Sequence, residues 1–148
     1  MMLEEKIKTE LKNFLKAGGK TEVSVLRMIL SAIKNKKIEE TSKTLDDEKI
    51  IGIIQKMSRQ HKESIEQFKQ GGREDLVEKE TEELKILESY LPEPLTEDEL
   101  EGIITESIDR LSAASMKDMG AVMRDVMEKT GGRADGKVIS NTVKERLS

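Results

Sequence analysis

Cysteine is absent from the 148-residue chain, which removes disulfides, thiolate metal sites and a cysteine nucleophile together. Such a composition suits a reducing compartment, and a cytoplasmic location is expected. Aromatic residues make up only 2% of the sequence and none follows Tyr90, so the C-terminal part offers no ring on which a nucleic-acid base could stack. Histidine occurs once, at His61, and a site built from several imidazoles is thereby excluded. No apolar run approaches the ~18 residues a membrane helix requires, so no membrane association is expected. The opening Met1-Met2-Leu3-Glu4-Glu5-Lys6 becomes charged within four residues, unlike the apolar core of a signal peptide. Proline occurs twice, both times within Leu91-Pro92-Glu93-Pro94-Leu95.

Charge, in contrast, is plentiful: Asp, Glu, Lys and Arg make up 38% of the residues. That fraction alone would suit a disordered chain, but the apolar residues recur at helical spacing, which disorder does not require. The formal net charge of −4 conceals an uneven distribution, with a net of +4 over residues 1–45, −10 over 46–111 and +2 over 112–148. An acidic middle with basic ends lets either end approach an anionic partner; equally, the charges solvate exposed helix faces.

Seven helices are predicted from the apolar spacing. Leu3, Ile7, Leu11 and Phe14 share one face of the first, which stops at Gly18-Gly19, glycine being suited to a C-terminal cap. Val23, Leu26, Ile29, Leu30 and Ile33 define a second, starting near Thr21. The third is the longest, with Thr44 and Asp47 as an approximate capping box and a stripe of Ile50, Ile54, Met57, His61, Ile65 and Phe68. Gly71-Gly72 turns it into a fourth carrying Val77, Leu84, Leu87 and Leu91, and the pair reads as an antiparallel hairpin. After the prolines, Thr96 and Glu99 form a capping box ahead of Leu100, Ile104, Ile108 and Leu111. Ser115 and Asp118 repeat that pattern before Met116, Met119, Met123 and Val126, and Asp135 caps a last helix with Ile139, Val143 and Leu147. No alternation of apolar and polar residues is sustained. The expected fold is all-α and multihelical: an N-terminal helical bundle or hairpin subdomain over residues 1–91, a proline-containing linker over 92–95, and a small three-helix subdomain over 96–148.

Chemistry-bearing patterns are few. His61 lies on the apolar stripe of the third helix, where a lone histidine reads as a packed residue making one hydrogen bond. Glu78, Glu80, Glu82 and Glu83 read as a solvated face rather than a cation site, so no metal is expected. The stretch from Gly131 to Val138 nearly matches a phosphate-cradling loop, but Val138 stands where a Ser or Thr must meet magnesium and the loop follows a helix. A nucleotidase is rejected. Two readings of that stretch remain equally good: a glycine C-cap followed by an Asp135 N-cap, or a helix N-terminus that Arg133 and Lys137 prepare for an anion such as a nucleic-acid phosphate. Met116, Met119, Met123 and Met127 recur at helical spacing, as a core stripe or as an adaptable partner face. Gly120 beside them would let another helix cross closely.

Several segments are familiar: Val25-Leu26-Arg27-Met28, Gln60-His61-Lys62-Glu63-Ser64, Gly71-Gly72-Arg73-Glu74-Asp75-Leu76, Ile86-Leu87-Glu88-Ser89-Tyr90-Leu91-Pro92, Asp118-Met119-Gly120-Ala121-Val122-Met123 and Gly132-Arg133-Ala134-Asp135-Gly136. Through them the sequence resembles the GatB/YqeY family, specifically its stand-alone YqeY-like members, over essentially its full length. The resemblance implies two helical subdomains. In the GatB subunit of the tRNA-dependent amidotransferase a similar module forms a tail that contacts tRNA, and related modules are appended to some glutaminyl-tRNA synthetases. It therefore implies a non-catalytic tRNA-associated module, with tRNA and an amidotransferase or aminoacyl-tRNA synthetase as partners, and neither cofactor nor DNA. Lys117, Arg124, Lys129, Arg133 and Lys137 are the candidate tRNA-binding residues; Met116, Met119, Gly120, Met123 and Met127 are the candidate partner face. A protein-interaction adaptor using that face is the alternative. A glutamine-dependent carbon–nitrogen ligase component is a third reading, disfavoured because the chain has no cysteine for a glutaminase, no glycine- and serine-rich amidase loop and no nucleotide site, and no catalytic residue is assigned.

Overall fold

The computed structural model describes residues 2–148, and these form seven α-helices and no strand. They are α1 (Leu3–Ala17), α2 (Lys20–Glu39), α3 (Asp47–Gln70), α4 (Glu74–Ser89), α5 (Glu97–Arg110), α6 (Met119–Thr130) and α7 (Gly136–Leu147), with one 3-10 turn at Met116–Asp118. The protein is all-α. Its packing divides into two compact units, one ending at Leu91 and one beginning at Pro92.

In the first unit α3 and α4 form a hairpin. Gly72 takes φ 69° in the turn, a conformation a Cβ would disfavour, and the Arg73 amide returns to the Phe68 carbonyl at 2.9 Å. α2 packs on α1, α3 and α4. Ile7, Val25, Leu26, Ile29, Ile33, Leu45, Ile50, Ile54 and Leu87 make the buried core. Tyr90, just past α4, donates its hydroxyl to the Glu10 carboxylate of α1. Burial first, then that hydrogen bond and the Glu10 charge, push the Tyr90 hydroxyl above its ordinary pKa.

The start of α3 differs from the sequence expectation. Its N-cap is Asp46, whose side chain accepts from the Lys49 amide at 2.9 Å, not Thr44. Leu45 and Ile50, on either side of that cap, are both buried in the core, the arrangement of a hydrophobic staple, and this burial sets where the helix begins. Asp47 serves α1 instead. Its Oδ1 accepts the Leu3 amide at 2.9 Å, satisfying a donor at the start of a helix that has no side-chain cap of its own.

The second unit has a separate core of Leu100, Ile104, Val122, Val126, Ile139, Val143 and Leu147. The Thr96–Glu99 capping box opens α5 as expected, with reciprocal bonds of 3.1 and 3.2 Å. Leu111, expected on the buried stripe, is instead the exposed C-cap of α5. Ser115 and Asp118 do form a capping box, but on the 3-10 turn, so α6 begins only at Met119. α6 packs against both α5 and α7. The proline segment is tied down at the turn between α6 and α7: the Leu95 amide donates to the Arg133 carbonyl at 2.8 Å, and Arg133 Nε donates to the Glu93 carbonyl at 2.9 Å.

Candidate nucleic-acid interface

Burial of Val122 and Val126 fixes the rotation of α6. Met119 and Met123 flank them and pack against the core. Met116 and Met127 remain 42% and 41% exposed. The methionine stripe is thus divided between core and surface, and Met127 lies over the first turn of α7, where a Cβ added to Gly136 would stand 3.6 Å from its Cε. Gly120 faces outward with nothing within 4 Å of an added Cβ, so no helix of this unit crosses there.

The five candidate cations are in different states. Lys129 pairs with Asp125 at 3.6 Å and reaches Glu106 at 4.0 Å. Arg133 spends its Nε on the Glu93 carbonyl, and its charge also acts on Glu99. Lys137 makes further polar interactions, and its amide is taken by the Asp135 carboxylate at 2.9 Å. Lys117 and Arg124 form no ion pair among the described residues. They lie seven positions apart along the 3-10 turn and α6, both exposed, with exposed Gly120 and Ala121 between them. Two helical turns bring residues i and i+7 onto one side, and the small residues keep the surface low between the two charges.

Of the two readings of the glycine stretch, capping accounts for the local geometry. Gly131 takes φ 52° and closes α6 with its amide on the Met127 carbonyl, and Asp135 caps α7. The Asp135 carboxylate already occupies the positive end of α7.

Asp125 is an electrostatic anchor between α5 and α6. Its carboxyl is held down at about 2, by the neighbouring Ser107 hydroxyl and then by the Arg110 guanidinium that pairs with it. Ser107 Oγ and Asp125 Oδ2 lack a well-formed hydrogen bond to any partner, so the Arg110 ion pair is the firmer cause.

His61, on α3, carries more polar contacts than expected. Nδ1 lies 3.0 Å from the Met57 carbonyl, while Nε2 lies 3.2 Å from Glu83 Oε1 and 3.5 Å from Glu80 Oε2 of α4. The expected solvated glutamate face is therefore corrected: Glu83 is buried and Glu80 half-buried, and only Glu78 and Glu82 are exposed. A signal for this was present in the sequence. Leu76, Glu80, Glu83 and Leu87 recur at spacings of four, three and four, which places both carboxylates on the apolar stripe of α4.

Comparison with known proteins supplies kinship. Residues 4–147 match the family described as Yqey-like protein. A Pyrenophora tritici-repentis protein named altered inheritance of mitochondria protein 41, mitochondrial, is 31% identical over 144 residues, covering 95% of this chain and 78% of that protein. The protein of the same name from Kluyveromyces lactis is 42% identical over 84 residues, 57% of this chain and 45% of its own length. That from Saccharomyces cerevisiae is 30% identical over 125 residues, 84% and 66% respectively. The chain thus spans less than half the length of the Kluyveromyces relative. The names of these relatives also overturn the expected cytoplasmic location, since all three are mitochondrial proteins. No helix among the described residues is long and apolar enough to cross a membrane. With all but its first three and last residues matched, the chain belongs to the Yqey-like protein family.

Proposed function

We propose that this chain is a non-catalytic, tRNA-associated helical module that works beside an amidotransferase or aminoacyl-tRNA synthetase. One observation carries the reading: Lys117 and Arg124 are exposed seven positions apart in the second unit, with no carboxylate pairing them among the described residues and with Gly120 and Ala121 between. A polyanion can neutralise both charges without first breaking an internal ion pair. The small residues let a phosphate backbone come close, and the resemblance to the GatB tail points to tRNA as that polyanion. With no aromatic residue beyond Tyr90, recognition is by backbone and shape rather than by base stacking. Titrating labelled total tRNA with the purified chain tests the reading. Binding that is lost in the Lys117→Glu, Arg124→Glu double variant supports it; no binding at low salt, or binding that the double variant leaves unchanged, refutes it.

The exposed Met116 and Met127 support a second reading, an adaptor that docks on protein. Met116→Glu with Met127→Glu tests it without disturbing the core, because the packed Met119 and Met123 are left intact. An RNase-resistant complex with an amidotransferase or synthetase that this variant abolishes would establish the adaptor. A complex that only RNase abolishes would return the weight to RNA.

A further inference from the structure

Inside the first unit, three side chains from two helices converge on a point. His61 Nε2 on α3 and one oxygen each from Glu80 and Glu83 on α4 all lie within 4.8 Å of one another. Their side chains are 13%, 22% and 9% exposed. We propose that His61, Glu80 and Glu83 form a divalent transition-metal site, of the zinc type, that joins α3 to α4.

Geometry agrees with the donor set. A tetrahedral Zn²⁺ with bonds of about 2.0–2.2 Å to nitrogen and oxygen separates its donors by roughly 3.3–3.5 Å. Nε2 stands 3.2 Å from Glu83 Oε1 and 3.5 Å from Glu80 Oε2, so both separations that involve the imidazole already match those of a tetrahedral ion.

The imidazole is oriented from outside the cluster. A carbonyl oxygen only accepts, so the 3.0 Å contact with Met57 makes Nδ1 the N–H donor. In the neutral ring this leaves the Nε2 lone pair aimed at the two carboxylates, an arrangement that repels unless a proton or a metal ion lies between. A backbone carbonyl on the distal nitrogen is also the partner that metal-bound histidines commonly have.

Charge makes the same demand. Among the described residues neither Glu80 nor Glu83 has a lysine or arginine partner, so two sheltered carboxylates face at most one positive charge, that of a protonated His61. A divalent ion balances them. One imidazole with two carboxylates suits zinc better than magnesium, which prefers an all-oxygen octahedron. Ser58, one turn before His61 and on the same side of α3, adds a buried hydroxyl with no partner to this seam.

The test uses the untagged full chain and Zn²⁺ alone as the probe. Equilibrium dialysis should find one equivalent bound, and the melting temperature of the wild type should rise on adding Zn²⁺. Glu80→Gln and Glu83→Gln should each weaken binding at least tenfold, while Glu78→Gln and Glu82→Gln, on the exposed side of α4, should leave it unchanged. Far-UV circular dichroism checks the fold. Should Glu83→Gln fail to fold, the more exposed Glu80→Gln decides, together with Co²⁺ added to the wild type, which should give the intense visible bands of a tetrahedral site. Absence of stoichiometric binding overturns the proposal, as does binding that Glu80→Gln leaves intact; His61 is then simply a packed ring hydrogen-bonded between α3 and α4.

Discussion

Salt dependence measures how many of the candidate cations meet RNA. Each phosphate neutralised contributes about −0.9 to the slope of log affinity against log salt. Among the described residues two of the five candidates, Lys117 and Arg124, form no ion pair, so their expected contribution is about −1.8. Raising monovalent salt from about 50 to about 200 mM should then weaken binding roughly 12-fold. Were all five engaged, the slope would be about −4.5 and the loss on the order of 500-fold. The gap between these outcomes is wide because Lys129 must leave Asp125 before it can serve a phosphate, and Arg133 must leave the Glu93 carbonyl. Fluorescence anisotropy of labelled total tRNA at four salt concentrations gives the slope. Lys117→Gln with Arg124→Gln, which removes charge without adding any, should flatten it by about 1.8. A slope that the double variant leaves unaltered refutes the assignment, whatever the absolute affinity.

Other expectations concern the second unit itself. Ile104 is fully buried in its core, and Ile104→Ala should cost about 2–5 kcal/mol. A unit running from Pro92 to Ser148 has a stability of roughly 3–9 kcal/mol at the usual share per residue. Thermal circular dichroism should therefore show its transition lowered or lost, while the first unit, whose core shares no residue with it, keeps its own. Gly131→Ala places a Cβ at φ 52° and should cost roughly 1–2 kcal/mol by chemical denaturation. Asp125 ionises in the folded chain at about 2, below its ordinary 3.8. Its charged form is the one that folding favours, so its contribution is complete above about pH 4 and lost as the pH falls towards 2. Asp125→Asn should accordingly be less stable than wild type near neutrality, and the difference should vanish in acid titrations.

Helical spacing carried most of the fold because an amphipathic helix repeats its demand every turn, and a missed residue changes little. Ends of helices were harder. Thr96 and Glu99 are a complete reciprocal pair and could be read directly. Thr44 and Asp47 matched the same pattern, yet Asp46 is the cap, because burying Leu45 and Ile50 on either side places the helix start there, at a residue that caps at least as well as threonine. A pattern of side-chain types does not include that tertiary term. The methionine stripe shows the complementary difficulty. Its period put four residues on one side, but Val122 and Val126 determine which part of that side is core, and this leaves Met116 and Met127 outside.

The basic residues illustrate why charge in a sequence is a poor guide to charge available for binding. Lys129 has Asp125 one turn before it, a pairing that helical spacing does allow to be read, but its second carboxylate, Glu106, comes from the preceding helix. Arg133 is engaged by the Glu93 carbonyl forty residues upstream, which no side-chain pattern records. Periodicity fares no better with His61. It correctly places the ring on the inner side of α3, but the carboxylates that meet it are fixed by the register of the α3–α4 hairpin, Glu83 following His61 by 22 positions. An extra residue inside α4 ahead of Glu80 would rotate the rest of that helix by about 100°. Glu80 and Glu83 would then no longer both face the ring. The register of α4 therefore decides whether the three side chains meet, so inserting one alanine between Leu76 and Val77 should remove zinc binding even if both helices persist.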